Sequence, residues 1–332
     1  MSDAISVDVL VPGDVLLYKG TSLISRAIQF FDGTDFSHAA LCLGDGVVGE
    51  AVSEGLVRRP YPVGASGTWV QAHRLKDDVP LQPVVEVANA YLDQGNRYGY
   101  EQLLLLAMLC LTRKLRFAPT VRQLVRRVLD DAAALLTRLI SQNREPTICS
   151  EFVYRAYDEA LPAPNDVYTL WIATPRIPGA PSFGAAGPSP ARGQGIHPQS
   201  LLALYASSAG GAWTEPREPG VGFGAPALAG GEPDARDLDD LIGSYLEETQ
   251  AGPGAVPPSF AGPPAGLDDL LNAAQRFAVA FHAATYRGEV TFGAPVPTAT
   301  LSRALSLAAA DFVTPGDLYK TQSLFPLGRI EA

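Results

Sequence analysis

A chain of 332 residues, 47% of them hydrophobic, is long enough to bury a substantial core, and a formal net charge of −10 excludes bulk nucleic-acid binding, which needs a basic face. Its 32 glycines and 28 prolines are too many for a compact enzyme throughout, so part of the chain reads as linker. Cys42, Cys110 and Cys149 are too few for a disulfide framework and lack the paired spacing of a zinc site. His38, His73, His197 and His282 are scattered, so a reducing compartment and neither metal nor cofactor are expected.

The opening MSDAISVDVLVPGDV has no basic n-region and no apolar core, so no secretory signal peptide is expected there. From residue 8 to about 75 short apolar strands alternate with turns. Val9-Leu10-Val11 leads into Pro12-Gly13-Asp14, and Val15 to Tyr18 follows. A helix is predicted over Leu23 to Phe31, then the loop Asp32 to Asp35, the strand Ser37 to Leu43, the turn Gly44-Asp45-Gly46 and the return strand Val47 to Ala51. This is an antiparallel meander.

From 81 to 160 the periodicity is helical: Val84 to Leu92, Glu101 to Leu115, Thr120 to Gln142 after Pro119, and Ser150 to Ala160 before Pro162. Beyond Pro175 the stretches 177–195, 216–235 and 251–266 are rich in Pro, Gly and Ala. Between them Pro198 to Ser207, Leu238 to Glu248 and Leu267 to Tyr286 read as ordered. Phe312 to Tyr319 looks like chain returning to the core.

Cys149 opens a helix whose apolar positions Phe152, Val153 and Ala156 follow at helical spacing. Free N–H groups at a helix start stabilise a thiolate, and Thr147 or Ser150 can cap that end. A nucleophile placed there needs a base and an orienting acceptor. His38, on a strand opposite Ala39, Leu41 and Leu43, is the candidate base. Glu50, on the return strand and offset by two positions from the cross-strand partner of His38, is within reach to fix its tautomer. Cys42 and Cys110, inside apolar runs, read as buried and inert. His73 beside Arg74 and Lys76 reads as surface, and His282 beside Phe277 and Phe281 as core.

Five motifs occur in one order: Pro12-Gly13-Asp14-Val15-Leu16-Leu17, Ser37-His38-Ala39-Ala40-Leu41-Cys42-Leu43-Gly44, Val47-Val48-Gly49-Glu50-Ala51, Arg97-Tyr98-Gly99-Tyr100 and Cys149-Ser150-Glu151-Phe152-Val153. In that order they resemble the permuted NlpC-type papain-fold enzymes of the YaeF/YiiX group, similar in turn to lecithin:retinol acyltransferase. The histidine strand precedes the cysteine helix, the reverse of ordinary papain-like enzymes. The resemblance implies an α+β, circularly permuted papain-like fold, an antiparallel sheet or barrel packed against the helix that bears the cysteine. It implies Cys149 as nucleophile, His38 as base and Glu50 as third polar residue, with Tyr98, Tyr100 and Ser150 as substrate-binding candidates. The expected organisation is a catalytic core over 8–176, a partly helical insertion over 177–310 and a closing segment over 311–332.

The expected activity is that of a cysteine hydrolase or acyltransferase, acting on an amide or ester through an acyl-thioester. The resemblance also allows a peptidoglycan-peptide amidase, for instance one delivered as a toxin, and a catalytically idle binding domain of the same fold. Residues 101–144 combine the run Leu103 to Leu109 with eight cations against three acids, a local balance of +5. That suits an anionic membrane surface or a lid over an acyl chain, or a buried helical hairpin with a solvated basic face. Oligomeric state is not legible.

Overall fold

The structure is a computed structural model and describes residues 4–52, 54–61, 69–94, 97–98, 101–113, 119–141, 145–160, 167–172, 200–210, 235–250, 266–285 and 312–330. Its strands are β1 (Ala4–Ile5), β2 (Val15–Lys19), β3 (His38–Gly44), β4 (Val47–Val52), β5 (Gly55–Pro60), β6 (Trp69–Leu75), β7 (Arg97–Tyr98), β8 (Glu145–Pro146) and β9 (Leu324–Ile330). Its helices are α1 (Leu23–Asp32), α2 (Gln82–Gln94), α3 (Glu101–Thr112), α4 (Pro119–Ser141), α5 (Cys149–Asp158), α6 (Leu201–Gly210), α7 (Ala235–Gln250), α8 (Leu267–Thr285) and α9 (Pro315–Lys320).

The chain forms two compact units: residues 1–105, 146–195 and 310–332, and residues 106–145 with 196–309. Residues 106–145, read from sequence as core, thus belong with the helices of the expected insertion. The reason is packing within that unit. Helix α4 lies along α8 and beside α7, and Arg276 on α8 donates two hydrogen bonds, of 2.9 and 2.7 Å, to Asp130 on α4. Leu104 to Leu111 of α3 are all buried. Among the described residues no helix is long and apolar enough to cross a membrane.

The first unit is mixed α+β. Its seven-stranded sheet has the order β1-β9-β6-β2-β3-β4-β5, antiparallel except where β1 runs parallel to β9. The β3–β4 hairpin closes over Gly44, Asp45 and Gly46, with φ values of 98°, 51° and 74°. Only glycine, or a short polar residue such as Asp45, takes this left-handed backbone cheaply.

Alternation gives the sheet two faces. Val15, Leu17, Ala39 and Leu41 bury against Phe152, Val153 and Ala156 of α5 and against α2. Leu16, Ala40, Cys42, Val48, Val70 and Ala72 form a second cluster with Leu10. Gly49 permits the close approach of the helices, since a Cβ there would lie 3.0 Å from Leu92, 3.2 Å from Phe152 and 3.3 Å from Leu43.

One expectation is corrected here. Val9-Leu10-Val11 is not a strand; a 3₁₀ turn covers Val7–Val9. Polar side chains take the amides a ladder would use: Ser6 accepts from Asp8 N–H, and the Asp14 carboxylate accepts from Val11 N–H at 2.8 Å. The returning C-terminal segment is α9 followed by β9, which inserts between β1 and β6. It is latched to α1: Asp32 accepts from Thr314 Oγ1 and from Gly316 N–H, both at 2.8 Å. Thr314 and Asp317 form a reciprocal capping box on α9.

Candidate active site

The candidate base begins a strand. His38 is the first residue of β3 and pairs with Tyr18 on β2. Glu50 on β4 pairs with Ala40, two positions along β3, and therefore stands diagonally from His38 on the same face. The diagonal is bridged: His38 Nε2 and Glu50 Oε2 are 2.7 Å apart, with 14% and 9% of the two side chains exposed. With Nε2–H donating to the carboxylate, the proton-accepting nitrogen of the neutral ring is Nδ1.

Two residues at this end of the sheet carry no sequence motif. Tyr18 packs its ring edge-on against the imidazole, with centroids 5.0 Å apart and an interplanar angle of 64°. Burial pushes its phenol well above the ordinary range, so it stays neutral. Arg59 on β5 places Nε 3.6 Å from Glu50 Oε1 and its other arm 3.2 Å from Glu54 Oε2. Strand register is the signal that finds both: Tyr18 faces His38 directly, and Arg59 pairs with Val48, one strand over on the same face.

Cys149 is the first residue of α5 and is fully buried. Helix α5 packs against β3 and β4. The preceding residue, Ile148, is extended and supplies no side-chain cap. Neither expected cap operates. Ser150 instead donates to the Val313 carbonyl at 2.7 Å, tying the helix start to the C-terminal segment. The Thr147 hydroxyl is buried with no partner.

Strand parity sets a condition on the chemistry. His38 shares the parity of Ala40 and Cys42, on the face away from α5. Since His38 opens β3 and Cys149 opens α5, thiol and imidazole can meet only around the beginning of the strand, not through the sheet.

Tyr98 lies in β7, which pairs with β8, and Tyr100 lies outside the described residues, as does His197. His73 is buried rather than on the surface, because β6 is an interior strand between β2 and β9. Its ring meets Tyr319 edge-on at 5.8 Å, and burial lowers its pKa to about 4. His282 is half-buried on α8. Cys42 is buried with Sγ 2.7 Å from the Tyr61 hydroxyl, and Cys110 is buried in α3; burial pushes both thiols up. Among the described residues no group of His, Cys, Asp and Glu side chains is placed to hold a metal ion.

No family profile matches this chain, and no curated protein matches it. The resemblance drawn from the five motifs stands on those motifs alone.

Proposed function

We propose that this chain is a cysteine hydrolase or acyltransferase on a circularly permuted papain-like core, cleaving an amide or ester through an acyl-thioester on Cys149. The observation that carries the reading is the 2.7 Å contact between His38 Nε2 and Glu50 Oε2 on the two strands against which the Cys149 helix packs. A strand histidine held by a neighbouring carboxylate has a fixed tautomer and a stabilised imidazolium, which is what a general base beside a thiol requires. Cys149 is the one cysteine at a helix start, where the helix dipole favours thiolate. Cys42 and Cys110, buried in a strand and a helix interior, have no such support.

In this reading His38 Nδ1 takes the thiol proton, and the thiolate attacks the carbonyl carbon. The imidazolium then protonates the leaving amine or alkoxide, and the acyl group remains on sulfur. Water, or an amine or alcohol, gives up a proton to His38 and releases the acyl group. Glu50 keeps the ring oriented throughout. The three free cysteines suit a reducing, cytoplasmic setting.

The test is labelling with a thiol-directed probe at neutral pH and peptide mapping, with Cys149→Ala as control, followed by mass spectrometry of products from acyl lipids and from muropeptides. The expected result is an adduct on Cys149 and turnover of one substrate class that Cys149→Ala abolishes. Equal turnover in Cys149→Ala, or labelling confined to Cys42 and Cys110, overturns the reading.

A further inference from the structure

The His38–Glu50 diagonal continues one strand further. Glu50 stands opposite Ala40 on β3 and Val57 on β5. His38 lies two positions to one side of that line and Arg59 two positions to the other, so His38, Glu50 and Arg59 form one diagonal row across three strands. Side chains on such a diagonal reach each other over a sheet face. Arg59 Nε lies 3.6 Å from Glu50 Oε1, an ion-pair distance too long for a hydrogen bond, while Glu50 Oε2 meets His38 Nε2 at 2.7 Å. A terminal nitrogen of Arg59 donates to Glu54 at 3.2 Å, which holds the guanidinium at the end of the row.

Glu50 is 7% exposed, and a buried carboxylate needs positive charge beside it. Two neighbours can supply that charge. His38 supplies it by holding a second proton, and a ring that already carries both protons cannot take one from a thiol. Arg59 supplies it at every working pH, because a guanidinium does not lose its proton. The two compete to balance one carboxylate, and the share carried by Arg59 is a share that His38 need not carry. The His38–Glu50 pair is mostly buried and Tyr18 closes edge-on over the imidazole, so water and salt screen these charges weakly. The other ionisable groups on the surrounding elements are Tyr18 itself, kept neutral by burial, and Cys42 further along β3, against the Tyr61 hydroxyl. Cys149 opens the helix packed on β3, and Lys19 on β2 is closed on Asp35 at 2.7 Å.

We infer that Arg59 is a positioning residue: it acts through Glu50 as the standing countercharge that keeps His38 in the neutral, proton-accepting form. The inference rests on the cysteine-hydrolase reading above. In the resting state Arg59 balances Glu50, and Nδ1 of the neutral ring can accept the thiol proton. Once His38 has taken that proton, Glu50 faces two cations. The ring then passes the proton to the leaving group, and the row returns to its starting charges.

The experiment follows the rate of acylation of Cys149 by p-nitrophenyl butyrate, read as the mass of the acyl-enzyme, across the acid and neutral pH range. It compares the full chain with Arg59→Gln, Arg59→Lys and Arg58→Gln. Arg59→Gln is expected to move the acid limb of the rate profile up by about one pH unit and to keep most of the plateau rate. Arg59→Lys should restore the wild-type limb, since a point charge suffices at 3.6 Å and no hydrogen bond to Glu50 is lost. Arg58 carries an equal charge at the neighbouring position of β5, on the opposite face, where Asn89 and Asp93 hold it at 2.8 and 2.7 Å. Arg58→Gln should therefore leave the limb unmoved. A fall in Arg59→Gln at every pH with the limb unmoved makes Arg59 structural and overturns the inference. So does an equal displacement in Arg58→Gln, or a lysine variant whose limb matches that of the glutamine variant. Each of these leaves the hydrolase reading standing. If Arg59→Gln does not fold, Glu54→Gln carries the test. With one carboxylate fewer on Arg59 the limb should move down, and an unmoved or raised limb overturns the inference. Failure of wild-type Cys149 to acylate overturns the reading and the inference together.

Discussion

Asp14 and Glu50 are two buried carboxylates in the same sheet, two positions apart along the strands, and their surroundings differ in kind. Asp14, immediately before β2, is fully buried with both oxygens committed. Arg74 donates to each of them at 2.7 Å, and Val11 N–H adds a third bond at 2.8 Å. Glu50, opposite Ala40 and so level with Leu16 of β2, gives one oxygen to His38 and has the more distant Arg59 at the other. A saturated carboxylate facing an arginine, which cannot lose its proton, is a fixture of the fold. A carboxylate whose strong partner is an imidazole is coupled to a group that can take up and release a proton, and it can respond to a reaction. The difference separates structural charge from chemical charge within one sheet.

The largest effect should appear at the His38–Glu50 pair and in activity. His38→Ala is expected to lower kcat/KM by about 10²–10⁴-fold. Glu50→Gln should lose less, and the double variant should be no worse than His38→Ala alone, because Glu50 acts through the ring. Losses that multiply in the double variant would show Glu50 acting independently. Steady-state kinetics on all three variants, beside their thermal melts, decide it.

At Asp14 the effect should fall on stability. Asp14→Ala leaves Arg74 facing a carboxylate site that is gone and strips Val11 of its acceptor. A loss of about 3–5 kcal/mol is expected for breaking a buried pair from one side. Urea unfolding measures it, and the specific activity of the remaining folded fraction should match wild type. A selective loss of activity with unchanged stability would place Asp14 in the chemistry and erase the contrast.

His73 sharpens the contrast as a histidine with no carboxylate beside it. Its folded pKa of about 4 lies below the 6.5 of the unfolded chain. The neutral ring therefore contributes stability that is complete above pH 6.5 and is lost as pH falls from 6.5 towards 4, where the unfolded state takes up a proton the native state refuses. The difference corresponds to ~3 kcal/mol at the acid end. His73→Leu should flatten that part of the stability–pH curve, read from urea midpoints at a series of pH values. An unchanged curve would assign the acid sensitivity elsewhere.

Much of the first unit was legible because its signals are local. The Gly44-Asp45-Gly46 turn fixed the β3–β4 register, and the register brought His38 to Glu50 before any tertiary information was needed. The start of α5 was legible to within one residue from the apolar spacing after Cys149. Features that depend on distant segments were not legible. β9 contains Pro326 and Gly328, poor strand residues, and is held in the sheet by pairing on both sides. The true partner of Ser150 lies 163 residues away. His73 sits among charged neighbours in sequence, yet β6 is interior because of that same late strand. The membership of α4 was missed for a related reason: periodicity shows that a helix has a buried face but not which helix covers it.

The smallest effect expected is at Gly49, the residue beside Glu50 that faces the helices. Its backbone lies outside the left-handed region, so an alanine there meets only crowding. The crowding comes from three directions at once: Leu92 on α2 at 3.0 Å, Phe152 on α5 at 3.2 Å and Leu43 on β3 at 3.3 Å. Each is a side-chain tip that can yield a little, so Gly49→Ala should cost about 1–3 kcal/mol, the ordinary range for overpacking, and should not prevent folding. Phe152 lies one turn from Cys149, so relief by displacing α5 would also lower turnover, whereas relief at Leu92 would not. Combining Gly49→Ala with Leu92→Val separates the two. Recovery of both stability and turnover would show that the sheet and α5 are held at a fixed spacing, and that Gly49 sets the distance at which the thiol helix meets the histidine strand.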